Sequence, residues 1–382
     1  MMPLQELRDA IDSIDRTIVD HLHQRMELAK QVGMQKKASC SEIYSPGREE
    51  QVLQKWLAHN AGKLPDKTIH AIYREVVSSS IATQKSLQVA YLGPRGTYTE
   101  QAMAKVQEEQ PWLNEPTESY QAAWQNFGSS INYLPLKTIS DVFFAVEQGE
   151  ANYGVIPIEN STEGAVIYAF DLLADTELKI IAQTYLPIEH CLLSHGQLSD
   201  IEAVYSHDNA LGQCRQWLNR VLPEAAVVKT ESTAQAVQQI KTNPKAAAIA
   251  SHLASRLYEV PTLAKNIQDK DDNITRFLVI GKTAGALSGE GDYKSSFLFS
   301  LNDEPGALQK ALHPFSQHKV NLTKIVSRPN RKKLWDYYFF IDVEGHYQHP
   351  PVSEAIAEIK KLCPLVKWLG SYPSSTPNGL SD

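Results

Sequence analysis

Between Leu4 and Lys37 the chain runs without a proline, and its apolar residues recur at steps of three and four: Leu4, Leu7, Ile11, Ile14, Ile18, Leu22, Ala29 and Val32. That spacing sets them on one face of a single α-helix. At ~1.5 Å per residue such a helix is roughly 50 Å long, more than a small domain can cover from within. The unmet stripe calls for an antiparallel partner, most simply a second copy of the chain. A second helix is expected from Ser45-Pro46-Gly47-Arg48, with Ser45 as N-cap and Pro46 at the first helical position, stopping before Gly62. A third begins near Asp66 and turns Ile69, Ile72, Tyr73, Val76 and Val77 inward. Continued by fours from Val76, its stripe reaches Ser80 and Gln84, and polar side chains on an inward stripe need partners.

The cations of this segment are placed to supply them. Arg25 takes a stripe position where leucine is expected, and Lys36 is about 20° out of register with it, so the two share a face. Arg8 lies roughly 25 Å along the helix from Arg25 and meets the same small ligand only from an antiparallel partner. A pocket of Arg, Lys, Gln and Ser, lacking a nucleophile, suits a dicarboxylate whose reaction needs charge stabilisation and conformational restraint. On these residues the segment 1–87 resembles the all-helical chorismate mutases of the AroQ class. The resemblance implies that Lys36 and Gln84 donate to the ether oxygen as the C–O bond breaks. It gives the substrate carboxylates to Arg25 and to Arg8 of the partner subunit. Glu49 would hold the ring hydroxyl, with Arg48 and Ser80 completing the shell. Ser45 stands where some relatives have Asp.

With 382 residues the chain is long enough for two or three domains, and 42% apolar and 21% charged residues are ordinary for a soluble globular protein. A net charge of −7 argues against nucleic acid as the ligand. No apolar run approaches membrane-spanning length, and the start Met1–Glu6 turns acidic and amphipathic at once, so neither a membrane nor a signal peptide is expected. Cys40, Cys191, Cys214 and Cys363 lack metal or redox spacing and read as reduced thiols of a cytoplasmic protein. No metal or cofactor is expected.

A second region spans residues 88–282. A strand at Val89–Leu92, the turn Gly93-Pro94-Arg95-Gly96-Thr97-Tyr98-Thr99 and a helix from about Glu100 form an anion site without Walker or dinucleotide spacing. A helix around Asp141–Glu147 leads to an apolar strand ending in Glu159-Asn160-Ser161-Thr162-Glu163-Gly164, polar groups delivered where open α/β sheets bind ligands. Further strands are expected at Ala203–Ser206, Ala226–Lys229, Ala246–Ile249 and Phe277–Ile280, with a Ser199–Ala264 lobe inserted into a first lobe. Asn273-Ile274-Thr275-Arg276-Phe277 then sets a hydroxyl beside a guanidinium at the mouth of an apolar strand. Together with Tyr205-Ser206-His207 and Thr230-Glu231-Ser232-Thr233, these motifs resemble prephenate dehydratase throughout. The resemblance implies a two-lobed, periplasmic-binding-protein-like fold and assigns Thr275 to the hydroxyl step. Arg276 would serve a carboxylate or the loop's architecture, with Phe277 beside it. Asn160, Ser161, Thr162, Ser206 and Gln213 would line the cleft, and His207 reads as structural.

After a glycine-rich linker over Ala284–Tyr293, residues 295–372 are expected in the order β-α-β-β-α-β, a ferredoxin-like sandwich, before a polar tail at 373–382. With Glu304-Pro305-Gly306-Ala307-Leu308 and Ser327-Arg328-Pro329 it resembles an ACT domain. Gly306, Ala307, Leu308, Ser327, Arg328 and Pro329 would frame an effector site for L-phenylalanine between subunits. Val326 stands where relatives carry Glu, from which weakened inhibition is expected. The whole chain resembles the bifunctional chorismate mutase–prephenate dehydratases, a family that converts chorismate through prephenate to phenylpyruvate. A homodimer or higher homo-oligomer is expected. The rival from another class is a chemically inert ligand sensor built from the same two-lobed clamp and regulatory module.

Overall fold

The long apolar stripe of the N-terminus becomes one helix, α1 (Leu4–Ala38), in the computed structural model, which describes residues 3–38, 46–84, 87–104, 131–270, 272–283, 292–329 and 337–374. By its contacts the chain divides into two units, residues 1–88 with 125–132, and the remainder.

In the first unit α2 (Pro46–Asn60) and α3 (Asp66–Gln84) start where the N-terminal signals predict, and both α1 and α2 lie along α3. Trp56 meets Tyr73 edge-on at 5.2 Å between ring centres, and Ile69 and Tyr73 are buried. Asn60 closes the turn between α2 and α3: its Oδ1 accepts from the Leu64 amide at 3.0 Å and its Nδ2 donates to the Leu64 carbonyl at 2.8 Å. The stripe of α1 stays uncovered within the single chain, with Leu4, Leu7, Ile11, Ile14, Ile18, Leu22 and Val32 all exposed. Burying one such side chain is worth ~1.5–3 kcal/mol, so a row of them is a strong drive to associate.

The second unit holds three sheets. Strands β1 (Leu87–Leu92), β2 (Ile131–Leu136), β3 (Tyr153–Asn160), β4 (Gly164–Ala165), β5 (Lys179–Pro187) and β11 (Ile274–Gly281) form the first lobe in the order β2-β1-β3-β11-β5, with β4 on β3. β1 runs parallel to β3, and β11 runs antiparallel to both of its neighbours. Strands β6 (Cys191–Leu193), β7 (Ala203–Ser206), β8 (Ala226–Lys229), β9 (Ala246–Ala250) and β10 (Thr262–Ala264) make the second lobe in the order β10-β6-β9-β7-β8. This lobe begins at Cys191 and not at Ser199, because β6 is three residues long and shows no alternation to read. The chain leaves the first lobe after Pro187 and returns to it at Ile274.

Strands β12 (Tyr293–Ser300), β13 (Leu322–Pro329), β14 (Tyr337–Glu344) and β15 (Leu365–Pro373) form an antiparallel sheet in the order β13-β14-β12-β15. The helices Ala307–Gln317 and Pro350–Leu362 complete the expected β-α-β-β-α-β order. One face of this sheet gives Phe297, Phe299 and Ile341 to a core with Phe315 and Ile356 of the helices. The other face gives Leu298, Phe340, Leu369 and Tyr372 to a core shared with Phe170, Leu173, Ile180 and Leu278 of the first lobe. Gly370 marks how closely they meet: a Cβ there would lie 2.1 Å from the Ile180 carbonyl oxygen, at a φ of +151° that disfavours any side chain. The sheet and the lobe therefore share one apolar core.

Candidate active site

Successive side chains of a strand point to opposite faces, so the two residues that stand side by side in the Thr275-Arg276 motif are separated by the sheet itself. Thr275 lies opposite Asn160 of β3 and is almost fully buried. The Asn160 amide donates twice, to Asn273 Oδ1 at 2.7 Å and to Thr275 Oγ1 at 2.8 Å. Its own Oδ1 accepts the backbone N–H groups of Thr162 and Glu163, each at 2.9 Å, and this fixes which end of the amide faces Thr275. Asn273 Nδ2 donates to Gln213 Oε1 at 2.8 Å, and Gln213 Nε2 reaches Glu163 Oε1 at 3.3 Å. Ser161 stitches the same loop to the segment before β11: its hydroxyl donates to the Asp272 carbonyl at 2.8 Å and accepts from the Ile274 amide at 2.9 Å. Both lobes thus contribute to one polar cluster, since Gln213 belongs to the second and Asn160 and Thr275 to the first.

His190 belongs to this cluster and no sequence signal singles it out. It sits in the first crossing between the lobes, 2% exposed. Its Nε2 lies 2.8 Å from Gln213 Oε1 and its Nδ1 lies 2.7 Å from the Tyr98 hydroxyl. Burial lowers its pKa from the ordinary histidine value, and the Gln213 bond opposes that. Burial likewise raises the Tyr98 phenol.

Arg276 points the other way, into the sheet of β12, β13, β14 and β15. Its Nη1 donates to Asp342 Oδ2 at 2.6 Å, its Nη2 to the Tyr372 hydroxyl at 2.9 Å and its Nε to Gln183 Oε1 at 2.9 Å. Ser296 donates to the second Asp342 oxygen at 2.6 Å. Burial works against both charges. Tyr372 and Asp342 outweigh it for Arg276, whose pKa rises, while Arg276 and Ser296 outweigh it for Asp342, whose carboxyl is held below the usual range. Of the two roles expected for Arg276, this geometry serves architecture and gives nothing to a carboxylate in the cleft. Phe277 is core, at 2% exposure. Ser206 is also turned inward, its hydroxyl donating to the Ile249 carbonyl at 2.6 Å inside the second lobe. The His207 ring caps the helix Asp208–Gln213, accepting from the Asn209 amide.

The glycine turn after β1 differs from the anion cradle that its sequence suggests. The Gly96 amide donates to the chain's own Glu100 carboxylate, which also pairs with Arg95 at 3.4 Å. Gly96 has φ +85°, and a Cβ there would meet the Tyr258 ring at 2.9 Å.

In the helical unit Arg25 is half-buried. Its Nη1 donates to the Ser80 hydroxyl and to the Val76 carbonyl at 3.2 Å, joining α1 to α3 on the face that the stripe argument identified. Burial lowers the Arg25 pKa, with Tyr73 opposing, though a guanidinium keeps its charge. Arg8 is exposed on α1. Lys36, Arg48, Glu49 and Gln84 lie on the described helices, but their side chains, like Ser45 as a whole, fall outside the described residues.

Beside the C-terminal sheet Gly306 caps the helix Ala307–Gln317 at φ +79°, with Ala307 and Leu308 in its first turn. Ser327 and Pro329 are exposed near the end of β13. Arg328 faces the first lobe, where it grips Asp171 through Nε at 3.0 Å and Nη2 at 3.2 Å. Val326 shares that face and packs against the common core, so a carboxylate at this position would enter the seam between sheet and lobe.

Comparison with known proteins matches these regions in order. Residues 7–85 match the family model for chorismate mutase type II, residues 114–285 that for prephenate dehydratase and residues 295–364 that for the ACT domain. A bifunctional chorismate mutase/prephenate dehydratase of Aquifex aeolicus is 42% identical over 98% of this chain and 99% of its own length. Among solved structures, prephenate dehydratase from Arthrobacter aurescens in complex with L-Phe is 32% identical with a TM-score of 0.65, over 77% of this chain and 93% of that one. GqqA, described as a novel type of quorum quenching acylase, is 27% identical with the same TM-score of 0.65, over 75% of this chain and 98% of that one. One shared fold thus accompanies proteins described by different activities, and it is the full-length match, helical region included, that decides: this chain belongs to the family of bifunctional chorismate mutase/prephenate dehydratases and carries both enzymes.

Proposed function

We propose that Thr275 is the hydroxyl donor of the dehydratase reaction and that Asn160, Asn273 and Gln213 hold it in place. Prephenate loses a carboxylate as CO₂, the electron pair of that bond aromatises the ring, and the ring hydroxyl leaves as water. One proton is consumed in each turnover. The observation that carries the reading is the Asn160–Thr275 bond of 2.8 Å: the Thr275 oxygen is the acceptor in it, so its own proton remains available for the leaving oxygen. A hydroxyl that accepts from a fixed amide is also polarised as a donor. Threonine is too weak an acid to stay ionised, so the proton that it lends returns from water. Ser161 and Thr162 belong to the same loop and would face the substrate.

In the helical unit Arg25, held by Ser80 and Val76, keeps its remaining N–H groups for a substrate carboxylate. Lys36 and Gln84 would stabilise the ether oxygen, Glu49 would hold the ring hydroxyl, and Arg48 would complete the set of groups around the substrate. Arg8 of the partner subunit would complete the site in an antiparallel homodimer, and the exposed stripe of α1 supports that assembly. We assign residues 1–87 to the mutase, 88–282 to the dehydratase and 295–372 to an ACT domain that binds L-phenylalanine and inhibits. The buried free thiols Cys191, Cys214 and Cys363 suit a reducing, cytoplasmic setting. The purified protein should convert chorismate to phenylpyruvate, with L-phenylalanine suppressing the second step. Accumulation of prephenate without phenylpyruvate would refute the two-site reading.

A further inference from the structure

The orientation of every group in the cleft cluster can be worked out from its two fixed ends. At one end the backbone amides of Thr162 and Glu163 hold the Asn160 carbonyl oxygen. At the other the Glu163 carboxylate accepts from Gln213 Nε2, which turns Gln213 Oε1 toward both Asn273 Nδ2 and His190 Nε2. An oxygen so placed accepts, so His190 must carry its proton on Nε2. In the neutral ring Nδ1 is then an acceptor, and the Tyr98 hydroxyl at 2.7 Å shares its one proton between that nitrogen and the Glu189 carbonyl at 2.9 Å. Burial favours that neutral form. Each bond of the chain Tyr98, His190, Gln213, Asn273, Asn160, Thr275 then joins one donor to one acceptor, with Gln213 Oε1 accepting from both sides and Asn160 Nδ2 donating to both, and the chain ends at the reactive hydroxyl.

We propose that His190 is a positioning residue of the dehydratase: from the crossing between the lobes it locks the Gln213 amide, and through Asn273 and Asn160 it sets the Thr275 hydroxyl. His190 itself reaches Thr275 only through three intervening side chains, so it acts on the geometry of the donor and not on the substrate. Its placement ties the setting of the donor to the relation between the lobes, because Tyr98 and Thr275 belong to the first and Gln213 to the second. Without His190 the Gln213 amide loses one of its two donors and gains freedom to rotate. Asn273 then loses a fixed acceptor, and the Asn160–Thr275 bond is no longer over-determined.

This inference rests on Thr275 as the donor, and a double-mutant cycle separates the two claims. The turnover of prephenate is measured for wild type, His190→Ala, Thr275→Ala and the double variant in the full chain, with chorismate turnover and thermal melting alongside. His190→Ala is expected to lower kcat about tenfold, the scale of one lost hydrogen bond in a polar site, with KM and mutase activity little changed. In the Thr275→Ala background the same change should have little further effect, since there is no hydroxyl left to position. A full tenfold loss in both backgrounds would overturn the positioning role. A normal rate in Thr275→Ala alone would instead remove the donor reading on which it stands. Should His190→Ala not fold, Tyr98→Phe keeps the ring edge against His190, centred 5.5 Å away, and removes the hydroxyl from Nδ1 and from the Glu189 carbonyl. It is expected to show the same kcat-only loss on a smaller scale, and unchanged kcat in that variant overturns the proposal.

Discussion

The two units of this chain solve the problem of a buried core in opposite ways. The helical unit leaves its longest apolar stripe outward, with Ile11, Ile14 and Ile18 each more than half exposed in the single chain. The two-lobed unit closes on itself: the regulatory sheet gives one face to its own helices and the other to the first lobe, and β11 lies between two paired strands. The difference follows from element type. A lone helix of 35 residues presents more surface than two shorter helices can cover, whereas a sheet edge or face finds its cover within the same fold. What it teaches is where each active site is completed. On the proposed reading, the site on the open stripe takes a residue from a second chain, and the site between the two lobes takes only its own.

The largest expected effects separate the two sites. Thr275→Ala should lower prephenate turnover by about 10²–10³, the usual loss for removing one donor to a developing charge, and leave chorismate turnover near normal. Lys36→Ala or Gln84→Ala should do the reverse. Steady-state assays with each substrate check both, and equal damage to both activities by any one of these changes would break the separation.

A smaller effect sharpens the second half of the comparison. The side chains of Arg276 and Asp342 are 7% and 11% exposed, so removing one partner leaves a buried charge alone. Asp342→Ala should destabilise the two-lobed unit by about 3–5 kcal/mol, whereas the paired change Arg276→Met with Asp342→Leu should restore most of that. The pH dependence has a definite sign. Because the folded state holds the Asp342 carboxyl below its ordinary value, its contribution is complete above pH ~4 and is lost as the pH falls through the lowered value. Thermal melts of wild type and Asp342→Ala should therefore converge in acid. A constant gap down to pH 2 would mean that the ion pair is not what stabilises the seam.

Much of this was legible because it is local. The step of three and four in α1, Pro46 at the start of α2 and the β-α-β-β-α-β order each follow from residues close together in the chain. Asn160 and Thr275 were legible as motif ends, though not as partners, since 115 positions separate them. What failed to show was tertiary. Arg276 stands beside Thr275 in sequence, yet strand alternation sends it to Asp342, 66 residues on. Ser206 looked like a strand-end ligand, but it closes a bond within its own sheet. His190 lies in an irregular crossing with no periodicity, and its importance is visible only once Tyr98 and Gln213 close around it. The glycine turn carried the right composition for an anion site, and only the fold reveals that Glu100 already occupies the role.

The claim that the helical site is shared between chains while the dehydratase site is not can be tested by mixing. Arg8→Ala protein and Lys36→Ala protein, each without mutase activity, are combined under conditions where subunit exchange is verified, and Thr275→Ala is likewise combined with Asn160→Ala. In a heterodimer of the first pair one mutase site carries both defects and the other neither, so chorismate turnover is predicted to recover. The second pair places every defect within its own chain, so prephenate turnover is predicted to stay lost. Verified exchange without recovered mutase activity, or recovery of the dehydratase, would contradict the account.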